Sequence, residues 1–226
     1  MKILVTGPVQ SGKSSYIKKF DSKALNVEAR GSDNKSYTVG MDLGSIRMNG
    51  FYVYLFGTPG LLRFSVMRDV VTSGSDGVIF IFDSAHPEKD ELALSILNSI
   101  RSKLPSNIPI VFLANKQDLP NARTPEVIRA QNNLKEESKI FPSSVKTGLN
   151  IEKSLKYLIN EIFENYQDLL AILKKYENDI QGLAKKMKKN KIELRDLLNR
   201  LEVKRFIELD RAHKTYKVKE GLKFLM

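Results

Sequence analysis

GPVQSGKS, at residues 7–14, follows the apolar run KILVT (2–6) and leads into a stretch of helical spacing at 13–20. It fits the pattern G-x-x-x-x-G-K-[ST], in which two glycines let the backbone turn tightly around phosphate groups. Successive backbone N–H groups then point at the anion, and the following helix presents its positive N-terminus. A strand, a glycine-rich loop and a helix in this order predict a phosphate-binding loop in an α/β domain.

The side chains of this loop have separate expected roles. Lys13 is expected to reach the terminal phosphates, and the Ser14 hydroxyl is expected to be a ligand of Mg²⁺. The predicted nucleotide contacts of the segment are Gly7, Val9, Gln10, Ser11, Gly12, Lys13, Ser14 and Ser15.

Apolar runs and amphipathic segments alternate along residues 1–164. The runs are KILVT (2–6), YVYLF (52–56), GVIFIFD (77–83) and IPIVFLAN (108–115), and helical spacing occupies 13–20, 87–103, 125–137 and 150–164. Continuous apolar runs are typical of strands that are buried on both faces of a sheet. The segment 36–48, SYTVGMDLGSIRM, is interpreted as one longer edge strand. The alternation predicts a doubly wound α/β domain that binds ligands beyond the carboxyl ends of its strands.

Two further motifs follow predicted strands. NKQD supplies Asn115, Lys116 and Asp118, and SSVKTG supplies Ser144, Val145 and Lys146. One carboxylate in NKQD can accept hydrogen bonds from N1–H and N2–H of guanine, and a site built for these bonds rejects adenine, which lacks both donors there. A backbone N–H in the second motif, expected at Val145, can donate to guanine O6. The alternative for Ser144 and Lys146 is an ordinary polar loop.

In their order and spacing, GPVQSGKS, TVGMD, FGTPG, NKQD and SVK resemble the guanine-nucleotide motifs of the Ras superfamily of small GTPases. The FGTPG form is similar to the prokaryotic Ras/Arf-like branch, which is related to the gliding-motility (MglA-type) GTPases. The resemblance covers about residues 1–164 and implies a GTP/GDP switch with Mg²⁺. By it, Thr38 matches the switch I threonine that closes on Mg²⁺ and the γ-phosphate, and the Gly60 N–H reaches the γ-phosphate. Lys13, Thr38 and Gly60 are therefore the implied catalytic residues, although Thr38 can also be read as an ordinary strand residue.

The segment FGTPGLLRF (56–64) departs from the family pattern D-x-x-G-Q-E-R-F. Gly57 replaces the aspartate that holds Mg²⁺ through water, and Asp42 on the neighbouring strand is our candidate replacement. The alternative is that Asp42 caps a turn before Gly44. Leu61 replaces the glutamine that orients the attacking water, so slow hydrolysis is expected because phosphoryl transfer depends on that positioning.

Neighbouring side chains affect the same step and suggest a partner. Arg63 is either an internal cationic group or a surface residue, and Val9 takes a position at which many relatives carry Gly, so it is expected to crowd an arginine finger. The apolar residues of the predicted switch II are Leu61, Leu62, Phe64, Val66 and Met67. Exposed apolar groups mark binding surfaces, although this segment can also fold back onto the sheet. The resemblance implies a roadblock-type or another activating or exchange protein here.

The formal net charge of +11 is concentrated near the end of the sequence. Residues 165–226 hold 16 Lys and Arg against 9 Asp and Glu, a net of +7, whereas residues 1–164 hold 21 against 17, a net of +4. Composition changes at the same place from aliphatic runs to stretches rich in Leu, Lys and Glu. We therefore predict a domain boundary near 160–166, with a small GTPase domain at 1–164 and a basic helical domain at 165–226.

The basic domain is expected to contain three helices and a β-hairpin. The helices are placed at about 166–176, 179–188 and 191–204, the strands at 206–210 and 215–219, and a last helical segment at 220–226. This order resembles a winged helix-turn-helix domain with 191–204 as the recognition helix and 210–214 as the wing. Its expected outward face carries Lys191, Arg195, Asn199, Arg200 and Lys204, with His213 and Lys214 on the wing.

The partner of this basic face stays open at this stage. Basic groups suit phosphates, and Asn or Arg suits base edges, whereas Glu193 and Asp196 on the same helix would repel DNA. A protein partner, a membrane surface and a merely solvated face are the alternatives. Two functions follow: a slow GTPase switch, or a nucleotide-gated DNA-binding regulator in which hydrolysis is incidental.

Composition excludes several other classes of protein. The chain has no Cys, which excludes a disulfide scaffold, thiolate metal sites and prenyl or palmitoyl anchors. No apolar run reaches the about 18 residues that span a bilayer, and the start MKILVTG is typical of a strand rather than a signal peptide. We expect a soluble, cytoplasmic protein without a transmembrane segment or a lipid anchor.

Overall fold

The computed structural model describes residues 1–25, 28–30, 36–38, 41–48, 51–60 and 65–219. The chain divides into two compact units. The nucleotide unit consists of Lys2–Ile46 and Val53–Ile162, and the C-terminal unit consists of Met1, Arg47–Tyr52 and Phe163–Met226. Among the described helices, none is long and apolar enough to cross a bilayer.

The nucleotide unit is built on a mixed α/β arrangement. Its strands are β1 (Lys2–Thr6), β2 (Glu28–Arg30), β3 (Ser36–Thr38), β4 (Asp42–Met48), β5 (Phe51–Gly57), β6 (Gly77–Asp83), β7 (Ile110–Asn115) and β8 (Ile140–Pro142). Its helices are α1 (Lys13–Phe20), α2 (Ser65–Thr72), α3 (Asp90–Arg101), α4 (Pro125–Gln131) and α5 (Ile151–Glu164), with a 3₁₀ turn at Pro87–Lys89. Six strands form one sheet in the order β4-β5-β1-β6-β7-β8, in which β5, β1, β6, β7 and β8 run parallel.

The core of the nucleotide unit explains why the central strands are continuously apolar. Every residue of β6 is buried. The rings of Phe80, Phe82 and Phe112 pack with centroids 5.0 to 6.0 Å apart. Burying a large apolar side chain contributes about 1.5–3 kcal/mol. This core fixes the carboxyl ends of β1, β6 and β7, which carry the predicted motifs.

The predicted long edge strand at 36–48 is wrong in one respect. The segment forms two strands, because β3 pairs antiparallel with β2, whereas β4 joins the main sheet beside β5. The helix predicted at 125–137 is also shorter, since α4 ends at Gln131. There Asn132 donates its side-chain amide to Ile128 O, and Asn133 takes a positive φ of 47°. Both corrections concern connections rather than the core strands.

The C-terminal unit contains the predicted three helices and hairpin. They are α6 (Gln167–Lys175), α7 (Ile180–Met187), α8 (Lys191–Val203), β9 (Ile207–Asp210) and β10 (Thr215–Val218). Strands β9 and β10 are antiparallel, with Ile207 opposite Val218. The helical segment predicted at 220–226 lies outside the described residues.

Apolar helix faces form the core of the C-terminal unit. Leu194, Leu198 and Leu201 on α8 are buried, and their spacing of i, i+4 and i+7 places them on one helix face. The ring of Phe206 is fully buried and lies 4.8 Å from Tyr166, 5.5 Å from Phe163 and 6.3 Å from Phe51, centroid to centroid. Phe51 belongs to this unit although it begins β5, so residues distant in sequence share one aromatic cluster.

Candidate nucleotide-binding site

In the loop between β1 and α1, two positions have backbone conformations that favour glycine. Gly7 has a φ of +140°, and a Cβ there would lie 2.3 Å from Ile81 O. Gly12 has a φ of +107°, and a Cβ there would lie 2.4 Å from Asn115 Nδ2. L-residues with side chains rarely adopt such φ values. The loop therefore keeps a concave backbone of the kind that surrounds phosphates.

One side-chain amide joins three of the predicted motifs. Asn115 donates from Nδ2 to Ser11 O at 2.7 Å, which connects the end of β7 to the phosphate loop. Its Oδ1 accepts from the Val145 N–H at 3.1 Å, which connects β7 to the loop after β8. Asn115 is fully buried, so these bonds are shielded from water. The three loops are thereby held at one edge of the sheet.

The carboxylate of Asp118 lies beside the loop that follows β8. Ser144 donates from Oγ to Asp118 Oδ1 at 2.6 Å, and Lys146 Nζ lies 3.8 Å from Asp118 Oδ2. The hydrogen bond from Ser144 holds the pKa of the Asp118 carboxyl below its ordinary value. Asp118 is therefore a charged acceptor at neutral pH, and the structure brings Ser144 and Lys146 to it.

Lys116 is fixed by a residue that sequence reasoning missed. Its Nζ lies 2.7 Å from Oδ2 of the buried Asp83, which also accepts from Lys89 and contacts His86 Nδ1. Burial by itself raises the pKa of Asp83, but the bonds from Lys116, Lys89 and His86 leave it below its ordinary value. The available signal was a single acidic residue at the end of the otherwise apolar run GVIFIFD.

Lys13 is buried within the phosphate loop itself. Its Nζ donates to Pro8 O at 2.6 Å. Burial lowers the pKa of the ammonium to about 7, and the nearby Asp42 carboxylate opposes that shift. An anion placed in the loop would favour the charged form, because an opposite charge nearby stabilises it.

The side-chain oxygens of Asp42 and Ser14 lie next to each other. Ser14 donates from Oγ to Asp42 Oδ2 at 2.7 Å, and Asp42 is 1% exposed. A Cβ built on Gly57 would lie 2.8 Å from both Cβ and Oδ2 of Asp42. The Asp42 carboxylate thus occupies the space into which a side chain at residue 57 would point. Hydroxyl and carboxylate oxygens are the ligands that Mg²⁺ prefers, so this pair fits that ion.

The FGTPG segment lies directly against the phosphate loop. Thr58 Oγ1 is 2.8 Å from Thr6 Oγ1, and the Thr58 N–H donates to Val5 O at 3.1 Å. A Cβ on Gly60 would lie 2.5 Å from Val9 N and 2.8 Å from Lys13 Nζ. Gly60 therefore approaches the loop closely because it has no side chain.

Several predicted residues are not joined to this arrangement by described contacts. Thr38 ends β3, where its backbone pairs with Glu28, but its side chain lies outside the described residues. The predictions for Leu61, Leu62, Arg63 and Phe64 also fall outside them. In α2, the predicted residues Val66 and Met67 are 75% and 38% exposed, and Val70, which the prediction did not include, is 70% exposed. Gln10 is exposed with a φ of 60°, and Ser15 is exposed on α1.

Comparison with known proteins identifies relatives over most of the chain. Residues 2–164 match the Ras family. The Ras-related protein Rab-4A of Bos taurus is 27% identical over 171 residues, which cover 74% of this chain and 76% of Rab-4A. The mutual gliding-motility protein MglA of Myxococcus xanthus is 28% identical over 180 residues, or 71% of this chain and 91% of MglA. An uncharacterised protein of Methanocaldococcus jannaschii is 27% identical over 168 residues, which cover 73% of this chain and 96% of that protein.

Proposed function

This chain belongs to the Ras family and is therefore a GTP-hydrolysing switch that binds GTP or GDP with Mg²⁺, and we propose that its hydrolysis is slow and that residues 165–226 form an interaction domain. The single observation that carries the site assignment is the buried Asn115 amide, which ties the phosphate loop, the end of β7 and the loop after β8 together. A chance motif would not need this bridge.

Each group in the site is given one role in this proposal. The backbone from Gly7 to Ser15 and the Lys13 ammonium hold the phosphates, and Asp118 accepts from guanine N1–H and N2–H. Lys116, held by Asp83, lies along the base, and the Val145 N–H donates to O6. The rest of the SVK loop acts through Asp118, because Ser144 and Lys146 both contact that carboxylate.

The metal site in this proposal uses Ser14, Thr38 and Asp42. These three residues would hold Mg²⁺, which when bound would offset the negative charge of the nucleotide phosphates. Ser14 and Asp42 support the assignment because they already share a hydrogen bond beside Lys13. In this proposal Asp42 supplies the carboxylate that the family places at residue 57.

Slow hydrolysis follows from the chemistry of Leu61. An aliphatic side chain neither donates to nor accepts from water, so the attacking water loses an orienting group. Lys13, Gly60 and Thr38 still contact the γ-phosphate in this proposal, so nucleotide binding is kept. The protein would then remain in its GTP form until a partner supplies the missing groups.

Single-turnover hydrolysis of GTP by the full chain tests this proposal. We expect Leu61→Gln to raise the rate by at least tenfold while GTP affinity changes little. Leu149→Gln, an exposed aliphatic residue in the loop after β8, is the matched control and is expected to leave the rate unchanged. Fast hydrolysis by the unaltered chain would refute the slow switch.

The proposed site for an activating or exchange protein, of the roadblock type or another, is the exposed side of α2. Val66 and Val70 are four residues apart and therefore lie on one helix face. Two exposed valines on a short helix that is hydrogen-bonded to the FGTPG segment, through Arg68 and Pro59 O, suit a partner that acts on the nucleotide.

A nucleotide-gated DNA-binding regulator is the second candidate function. The order α6, α7, α8, β9, β10 favours it, because three helices followed by a hairpin is the order of a winged helix-turn-helix domain. In this candidate GTP fixes one conformation and hydrolysis is incidental. The affinity of the full chain for duplex DNA, compared between the GTP- and GDP-bound forms, tests it, since gating requires the two forms to differ.

A further inference from the structure

The turn between α7 and α8 carries a dense group of lysines, which we call the lysine turn. Its members are Lys185, Lys186, Lys188, Lys189 and Lys191. Lys189 is half-buried and the other four are exposed. Five of the 16 Lys and Arg residues of 165–226 thus lie on this short connection and on the helix ends beside it.

No ion pair among the described residues neutralises this positive charge. In the C-terminal unit the ion pairs among described residues are Lys174 with Glu177, Arg211 with Glu202, and His213 with Asp210. None involves the lysine turn. Like charges held close together create a field that attracts polyanions. Two basic residues of the hairpin, Arg211 and His213, are paired with acidic residues. The lysine turn is therefore the stronger positive site.

The local geometry resembles a helix-turn-helix. Three residues join α7 to α8, and Lys188 makes the bend with a φ of 51°. Asn190 accepts from the N–H groups of Ile192 and Glu193, both at 3.0 Å. The Glu193 carboxylate accepts from the Asn190 N–H at 2.9 Å, which completes the cap. Glu193 is therefore a capping residue, and its charge counts less against a phosphate partner than the sequence indicated.

Helix α8 presents a mixed face to solvent. Leu194, Leu198 and Leu201 are buried, and the opposite side of α8 is exposed in the part of the chain that the structure describes. Its exposed residues include Ile192, Arg195 and Asp196 in the amino-terminal half and Asn199 just beyond it. These residues can contact a thymine methyl group and donors or acceptors on base edges. Lys204, which the sequence assigned to this face, instead lies 5.8 Å above the Tyr166 ring.

We propose that this face binds double-stranded DNA, with the lysine turn on backbone phosphates and the amino-terminal half of α8 in the major groove. This assignment rests on the second candidate function. B-form DNA has a major groove about 12 Å wide that admits a helix, whereas the major groove of duplex RNA is too narrow. A membrane is disfavoured, because the exposed apolar residues Ile192 and Val203 lie about 16 Å apart along α8 and form no continuous apolar strip.

Salt dependence gives the first measurement. Each phosphate that a lysine neutralises contributes about −0.9 to the slope of log K against log salt. The full chain and a labelled random duplex of roughly two helical turns would be titrated between about 50 and 200 mM salt. With three to five contacts we expect a slope of about −3 to −4.5. Binding without salt dependence would overturn the assignment.

A charge-matched pair of triple variants locates the face. Lys185→Gln, Lys188→Gln and Lys189→Gln together are expected to reduce the slope by about 2.7 and the affinity at least tenfold. The control carries Lys18→Gln, Lys19→Gln and Lys153→Gln, three exposed lysines of the nucleotide unit, and is expected to bind nearly as the unaltered chain does. Thermal unfolding of both variants verifies that each is folded.

The outcomes separate this assignment from the second candidate function. DNA binding that both triple variants keep equally would refute the lysine turn and leave a DNA-binding regulator standing. No binding to DNA at the lowest salt would refute both. Stronger binding to duplex RNA, or to vesicles of phosphatidylcholine and phosphatidylserine, would also reject the DNA assignment. Equal DNA affinity of the GTP- and GDP-bound forms would refute only the proposal that the nucleotide controls DNA binding. It would not contradict the assignment of the DNA-binding face.

Discussion

At the scale of single residues, Asp42 and Gly57 depend on each other. The Asp42 carboxylate fills the space beside Gly57, and a Cβ at residue 57 would approach it to 2.8 Å. Contacts this short require one of the two groups to move. A carboxylate is thus accommodated on one of two neighbouring strands, and here it is on β4.

The swap of these two residues is our first prediction. Asp42→Ala should speed the release of GDP in Mg²⁺ by roughly tenfold or more, because a ligand of the ion is lost. Gly57→Asp alone should destabilise the fold, since two carboxylates would share one space. The double variant Asp42→Gly with Gly57→Asp should recover part of the Mg²⁺ effect.

The measurement is the dissociation rate of a fluorescent GDP analogue with Mg²⁺ and with a chelator, together with thermal unfolding. The control is Asp69→Ala. Asp69 lies on α2, and its carboxylate forms an ion pair with Lys103. If Asp42→Ala keeps the full Mg²⁺ dependence, Asp42 has no role at the ion.

At the scale of elements, the ends of β6 and β7 act together. The register places Asp83 opposite Asn115, so the last residue of β6 lies beside the NKQD motif. From there Asp83 accepts from Lys116 at 2.7 Å and positions it. Parallel strands end at one edge, which explains why residues separated by about 30 positions meet here.

Asp83→Asn is our second prediction. Removing the charge weakens the bond to Lys116, and a bond to a charged group contributes about 1.5–3 kcal/mol. We therefore expect GDP affinity to fall roughly tenfold. Asp90→Asn, which disturbs the pair of Asp90 with Arg123, is the control and should alter stability but not GDP affinity. Unchanged GDP affinity in Asp83→Asn would mean that Lys116 does not need its ion pair with Asp83 to contribute to binding.

This anchor also predicts a pH dependence. The pKa of Asp83 is lower in the folded protein than its ordinary value, so the ionised form stabilises the fold. That stability is present at neutral pH and is lost as the pH falls through the folded pKa. Urea unfolding of Asp83→Asn should accordingly lose less stability on acidification than the unaltered chain.

The sequence predicted helices and strands correctly where a single local pattern was enough to identify them. Strands β1, β6 and β7 are continuous apolar runs, and α1 follows the phosphate loop, so these were found within about two residues. The segment 36–48 was not, because strand propensity does not say which strand a segment pairs with. The role of Asp83 was missed for a similar reason: its partners Lys116 and Lys89 lie on other elements.

At the scale of the whole molecule, the two compact units do not follow the order of the chain. The sequence placed a boundary near 160–166, where composition changes. The continuous part of the C-terminal unit starts at Phe163, and the unit also includes Met1 and Arg47–Tyr52. Phe51 looks like any strand residue in the sequence, but in the structure its ring lies 5.1 Å from that of Phe163 and 6.3 Å from that of Phe206, both in this unit. Contacts of long sequence separation carry no local signal.

Truncation after residue 164 is our last prediction. The fragment 1–164 contains every nucleotide motif, yet it loses Phe206, which packs with Phe51 and Phe163 in the C-terminal unit. Two aromatic rings would become exposed, and losing a buried Phe side chain costs about 3–5 kcal/mol. We expect the fragment to melt several degrees below the full chain and to aggregate.

Substitutions in the full chain separate this cause from truncation itself. Phe206→Ala should reproduce much of the destabilisation, whereas Val203→Ala, at an 81% exposed position on the same unit, should not. In the fragment, Phe51→Ser should improve solubility, because it removes one exposed ring. A fragment as stable as the full chain would contradict this account, because the aromatic cluster would then stabilise neither Phe51 nor Phe163.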